Sequence, residues 1–175
     1  MRVIIVVGSK HGSTSAIAAA VGEELRHGGL EVSVTDADDA DVSLDGYDAA
    51  VIGSAVYVGR WMKGARNFLE ANREPLRGMP LWLFSSGPLG DRPADDVVDV
   101  QALAEDLQAR DHRVFAGRLD RAGLSLAERA AVRMVHAPYG DVRDWREIRS
   151  WAKTIVAGLS DSAGSTPPSA VTTAP

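Results

Sequence analysis

Arg2-Val3-Ile4-Ile5-Val6-Val7 runs straight into Gly8-Ser9-Lys10-His11-Gly12-Ser13-Thr14, and from there into Ser15-Ala16-Ile17-Ala18-Ala19-Ala20-Val21. Val3 to Val7 are five β-branched residues in succession, which suit a strand buried on both faces at the centre of a parallel sheet. The residues after Thr14 are mostly good helix formers. A strand that turns directly into a helix leaves a row of backbone N–H groups without partners at the turn. Ser9, Ser13 and Thr14 add hydroxyls to that row, and Gly12 lets the backbone approach a ligand closely. The turn is therefore an anion cup.

Spacing decides which anion. A Walker loop requires G-x-x-x-x-G-K-[ST]; here the second glycine comes one residue early and Ser13, not Lys, follows it. A dinucleotide loop requires G-x-G-x-x-G, and position 10 is Lys. Asp36, at the end of the next strand, still matches the ribose-binding acid of that motif, so NAD remains a competing ligand. The order hydroxyl-x-x-Gly-x-Thr resembles the phosphate loop of flavodoxins, which holds the monophosphate of FMN. His11 stands where flavodoxins usually carry a hydroxyl residue. Hydrogen bonds to a charged group contribute about 1.5–3 kcal/mol each, and a helix end adds up to about 1 kcal/mol. Both favour FMN over unphosphorylated riboflavin.

The 175 residues fit one domain with a substantial core, and 45% hydrophobic with 25% charged residues reads as globular. Without cysteine there are no disulfides, thiol nucleophiles or thiolate metal sites. His11, His27, His112 and His136 lack metal-ligand spacing, and no serine sits in a G-x-S-x-G elbow. Redox chemistry would then come from a bound cofactor. A net charge of −5 argues against non-specific nucleic-acid binding. The first apolar run is short and needed as a strand, and no stretch reaches the roughly 20 apolar residues of a membrane span. The expected location is cytoplasmic, with contact at the inner face of a membrane as a further option. Aspartates crowd 36–48 and 91–99, and arginines gather from Arg110 to Arg133.

Along the chain, the spacing predicts a helix over 13–27 stopped by Gly28-Gly29, and a strand nearer the sheet edge over 31–35. A strand at 49–54 follows. Trp61, Ala65, Phe68 and Leu69 fall on one helical stripe, with Pro75 and Gly78 beyond as terminators. Strands at 81–85 and 113–119, a helix over 97–109 and a last helix over 144–158 complete the pattern. Alternating strands and helices call for a doubly wound five-stranded parallel sheet of flavodoxin-like order 2-1-3-4-5, with a crevice where the order reverses. The domain is expected to span 1–159. A segment over 120–143 exceeds the usual connection, with helical periodicity at Leu124, Ala127 and Ala131 and a capping box at Ser125 to Glu128. The Ser-, Thr-, Ala- and Pro-rich stretch 160–175 reads as a disordered tail.

With the anion in the crevice, two further connections should meet the rest of the cofactor. Ser54, Ala55, Val56, Tyr57, Val58 and Gly59 combine small residues with an aromatic ring, and Tyr57 is the expected flavin contact. Trp61 fits the core stripe better than a stacking role. Ser85, Ser86, Gly87, Leu89, Gly90 and Asp91 offer backbone groups for the flavin's polar edge. Arg60, Lys63 and Arg66 beside the first connection suit either substrate carboxylates or a solvated helix face.

These residues carry a resemblance to the flavodoxin superfamily over 1–159. Within it, the loop Ser9 to Thr14, the stretch Val51 to Gly59 and the segment before Asp144-Trp145-Arg146-Glu147-Ile148 are most similar to the flavodoxin-like, menaquinone-dependent protoporphyrinogen oxidases. That resemblance implies FMN, a quinone acceptor and oxidation of a porphyrinogen in haem synthesis. The 120–143 segment departs from that family in being poor in aromatics, although Arg118, Arg121, Arg129 and Arg133 suit an anionic lipid surface. Two alternatives stand beside this reading: a flavodoxin-type single-electron carrier working with partner proteins, and a cofactor-free interaction module.

Overall fold

Strand β1 (Arg2–Gly8) lies inside a parallel sheet, as its five β-branched side chains require. Val3, Ile5 and Val7 face one helical layer, Ile4 and Val6 the other, and none of the five is more than 3% exposed. The structure, a computed structural model, describes residues 1–39, 41–57, 59–87, 98–119 and 139–163.

The remaining elements are α1 (Ser13–His27), β2 (Glu31–Asp36), β3 (Ala49–Tyr57), β4 (Arg60–Trp61), α2 (Lys63–Ala71) and α3 (Arg73–Arg77). They are followed by β5 (Leu81–Gly87), α4 (Val98–Asp106), β6 (Asp111–Ala116), β7 (Arg118–Leu119), β8 (Gly140–Asp141) and α5 (Trp145–Ala163). The main sheet has the parallel order β2-β1-β3-β5-β6, which is the expected 2-1-3-4-5 once the short antiparallel β4 is set aside. β2 takes the edge, as its polar–apolar alternation predicts.

Helices α1 and α5 cover one face. Their Ile17, Val21, Leu25, Ile148, Trp151, Ile155 and Leu159 close over Val3, Ile5, Val51 and Phe84. Helices α2, α3 and α4 cover the other, where Phe68, Leu69, Leu76 and Val100 meet Ile4, Val6, Ile52 and Leu83. Gly53 matters to the first layer, because a Cβ there would overlap the ring of Phe84. The open space lets Phe84 join Phe115 and Trp151, with ring centroids 5.5–6.2 Å apart.

Several boundaries differ from the expected ones. The third strand does not stop at Ser54. It continues to Tyr57 because Val56 and Tyr57 find partners in Trp61 and Arg60 across a hairpin. Trp61 therefore lies in β4 rather than on the helix, although it is 3% exposed and packs with Ala65, Phe68 and Leu69 as the stripe implies. The fourth strand runs on to Gly87, so Ser85 and Ser86 are strand residues and not loop residues. The fifth begins two residues early and ends at Ala116, while Arg118 and Leu119 leave the sheet to pair with Asp141 and Gly140. Pro75 lies inside α3 instead of ending a helix, in the first turn where its missing N–H has no acceptor to lose. The break falls at Asn72, whose amide group donates to the Phe68 carbonyl at 2.9 Å. Helix α5 reaches Ala163, four residues past the expected domain end at Leu159. The expected helix in 120–143 lies outside the described residues apart from its closing ribbon strand, as do residues 164–175 of the expected tail. No described helix is long and apolar enough to cross a membrane.

Candidate functional site

The register brings Gly8, Ser54 and Ser85 side by side on three adjacent strands. Their carboxyl ends form the crevice where β1 and β3 lead in opposite directions across the sheet. The turn after β1 opens into it. Gly12 is the N-cap of α1 with φ +76°, and no heavy atom lies within 4 Å of where its Cβ would be. The N-cap residue thus has no side chain to bond the helix start, and no acid occupies the first turn. The positive end of the helix dipole therefore meets neither a cap side chain nor an acid in the first turn, while Arg26 and His27 complement the other end.

Around this opening the expected residues take separate parts. Ser9 Oγ accepts from the Ser15 amide at 3.3 Å, which draws the loop over the helix start. Thr14 is buried at 2% exposure, Ser13 is half-buried, and Lys10 and His11 are exposed at the rim. The His11 ring meets Tyr57 edge-on with centroids 6.3 Å apart. The turn after β1 and the hairpin thus touch through the residue that departs from the flavodoxin pattern. Tyr57 is half-buried at the end of β3, and Gly59 turns the hairpin with φ +75°. Arg60 and Lys63 are exposed, with Arg66 one turn further along α2. Val58, Leu89, Gly90 and Asp91 lie outside the described residues.

Three hydroxyls chosen from the sequence sit beneath the opening. Ser54 Oγ donates to the Ala55 carbonyl and accepts from the Met62 amide, both at 2.9 Å, tying β3 to the start of α2. Ser85 Oγ accepts from Trp61 Nε1 at 2.7 Å and lies 2.8 Å from His112 Nε2. Both serines are fully buried, so their bonds hold the hairpin rather than face solvent. Ser86 is nearly as buried, on the opposite side of β5, and Gly87 accepts from the Gly117 amide at 3.1 Å.

Sequence reasoning missed His112, which closes this buried chain. Burial, the larger influence, lowers its imidazole pKa below the ordinary 6.5, and the Asp111 carboxylate opposes in part. It also missed the ribbon of β7 and β8. There the Arg118 amide donates to Ser13 Oγ at 2.8 Å. Arg143 grips Asp141 with two bonds of 2.7 and 2.6 Å and holds the Asp141 carboxyl down at about 2. No spacing rule would have found the Ser85 to His112 bond or the contacts of Arg118 and Arg143 with Ser13, because each joins residues far apart in the chain. Among the described residues no group of His, Asp or Glu is arranged to hold a metal ion.

Residues 4–144 match the flavodoxin domain family. The protoporphyrinogen IX dehydrogenase [quinone] of Escherichia coli K12 is 23% identical over 177 aligned positions, covering 92% of this chain and 97% of that protein. A flavodoxin of Pseudomonas aeruginosa, solved as a cysteine-to-serine mutant, superposes with a TM-score of 0.58 at 19% identity, covering 91% of this chain and 99% of its own. Rubredoxin oxygen:oxidoreductase from Desulfovibrio gigas gives 0.63 at 14% identity over 93% of this chain, which spans only 37% of that longer one. The two structural likenesses establish the fold, and the family match covers most of the sequence. The chain belongs to the flavodoxin domain family.

Proposed function

We propose that this protein is an FMN-dependent oxidoreductase that takes electrons from a reduced substrate and passes them to a quinone or similar acceptor. The observation that carries the reading is the start of α1 at Gly12, open beside the ends of β3 and β5. In this reading the amides and hydroxyls of Ser9, Ser13 and Thr14 hold the phosphate, with Lys10 and His11 at its rim. Tyr57 lies along the flavin ring, and the backbone around Ser86 and Gly87 meets its polar edge. The flavin, when bound, supplies the electron-transfer chemistry; the protein binds and orients it and excludes water around it. Arg60, Lys63 and Arg66 bind carboxylates of the substrate, for which protoporphyrinogen IX is the candidate suggested by the E. coli relative.

The test is reconstitution followed by turnover. Purified protein titrated with FMN should quench flavin fluorescence, and the complex should oxidise protoporphyrinogen anaerobically only when a menaquinone analogue is supplied. Failure to bind FMN defeats the reading outright; binding without turnover favours a carrier. That second reading rests on the acidic connection, where Asp36, Asp38, Asp39 and Asp41 are exposed and Asp38 packs against Gly64 of α2. Negative charge beside the site steers basic partner proteins.

A further inference from the structure

Arg143 is the least expected part of the site. It lies just before α5, and its side chain is only 7% exposed. Its guanidinium lies 4.4 Å from the centre of the Trp145 ring and makes a two-pronged pair with Asp141 of β8. The remaining arm reaches the Ser13 carbonyl at 3.4 Å. Across the ribbon Asp141 pairs with Arg118, whose amide donates to Ser13 Oγ. The other side of the ribbon's base is fastened as well, because Val142 donates to the Gly117 carbonyl and Gly117 to that of Gly87. One cluster therefore spans two of the three turns around the opening.

The charge of Arg143 is matched by Asp141 at close range, so its effect on an anion in the cup is one of placement rather than attraction. A serine hydroxyl has one hydrogen to give and two lone pairs to accept with. With the Arg118 amide on one lone pair, Ser13 Oγ keeps its hydrogen for another acceptor. We propose that Arg143 is a positioning residue for the anion cup: it clamps the β7–β8 ribbon onto the start of α1, fixes the Ser13 hydroxyl as a phosphate donor, and so makes the protein select phosphorylated over unphosphorylated flavin. The inference rests on the FMN reading and adds the origin of its selectivity.

Dissociation constants for FMN and for riboflavin, from flavin fluorescence quenching, test it in the wild type, Arg143→Met, Ser13→Ala and the double variant. Each single change should weaken FMN binding about tenfold, the effect of losing one hydrogen bond to a charged group, and leave riboflavin binding unchanged. The double variant should be no weaker than the weaker single, since both act through one hydroxyl. Arg143→Lys, which keeps the charge but not the two-pronged grip, should restore only part of the preference. Hydrogen exchange at the Arg118 amide, followed without any flavin, should quicken in Arg143→Met. An unchanged FMN-to-riboflavin ratio in Arg143→Met, or multiplying effects in the double variant, overturns the role. If Arg143→Met does not fold, an unchanged ratio in Arg143→Lys does the same. A wild type that binds neither flavin removes the FMN reading itself, whereas tight wild-type binding with unaltered selectivity in the variants removes only the positioning role.

Discussion

Gly12 and Gly53 resist a side chain for different reasons, and substitution by alanine should separate them. At Gly12 the space for a Cβ is open while φ is +76°, so the penalty is backbone strain alone. At Gly53 a Cβ would overlap the Phe84 ring, which is itself held between Phe115 and Trp151. Gly12→Ala should lose about 1–2 kcal/mol of stability from left-handed backbone strain, together with flavin affinity. Gly53→Ala should lose about 1–3 kcal/mol or more through overpacking. Urea unfolding of the two variants checks the order, and a Gly53→Ala protein as stable as the wild type would contradict the packing described for Phe84.

The hairpin of β3 and β4 is held from below by one buried chain of contacts, Trp61 to Ser85 to His112. Trp61→Phe removes the donor while keeping much of the ring, and since Ser85 keeps its contact with His112 it should cost about 0.5–1.5 kcal/mol, the net value of one hydrogen bond. His112 adds a dependence on pH. Its pKa in the folded protein lies below the 6.5 of the unfolded chain, so the unfolded state binds the proton first as pH falls. Stability from this group is complete above about 6.5 and declines on acidification until pH passes below the folded value. Melting temperatures at about pH 7.5 and 5.5 should show the decline in the wild type and a smaller one in His112→Gln. The ribbon responds at lower pH: Asp141 is held at about 2 against an ordinary 3.8, chiefly by its hydrogen bond from Arg143. Its contribution is present above 3.8 and is lost as pH drops through about 2, so the protection of the Arg118 amide from exchange, relative to its intrinsic rate, should fall in that range.

For the molecule as a whole, the two core layers lie apart from the residues proposed to bind substrate. Arg60 and Lys63 are exposed and belong to neither core, so Arg60→Ala with Lys63→Ala should leave the melting temperature unchanged. The same double variant should raise KM for a carboxylated substrate, and an unaltered KM would remove these residues from substrate binding. At the other end, Leu159 is the last described residue of α5 in the core. Truncation after Ala163 should therefore preserve both the melting temperature and FMN affinity; a loss of either would assign a role to residues 164–175.

How much of this was legible from the chain alone depends on how local each cause is. Burial on both faces of Val3 to Val7, the amphipathic stripe of α1 and the glycine stops after it are short-range properties. They pointed to β1, α1 and the turn between them, while the alternation of strands and helices pointed to the order of the parallel sheet. The Ser85 to His112 bond and the docking of Arg118 and Arg143 on Ser13 left no such trace. Arg118 and Arg143 meet Ser13 across 105 and 130 positions of sequence. Such meetings are set by how the sheet and its layers pack, because periodicity reports which face a residue takes and carries no information about which distant residue it will face.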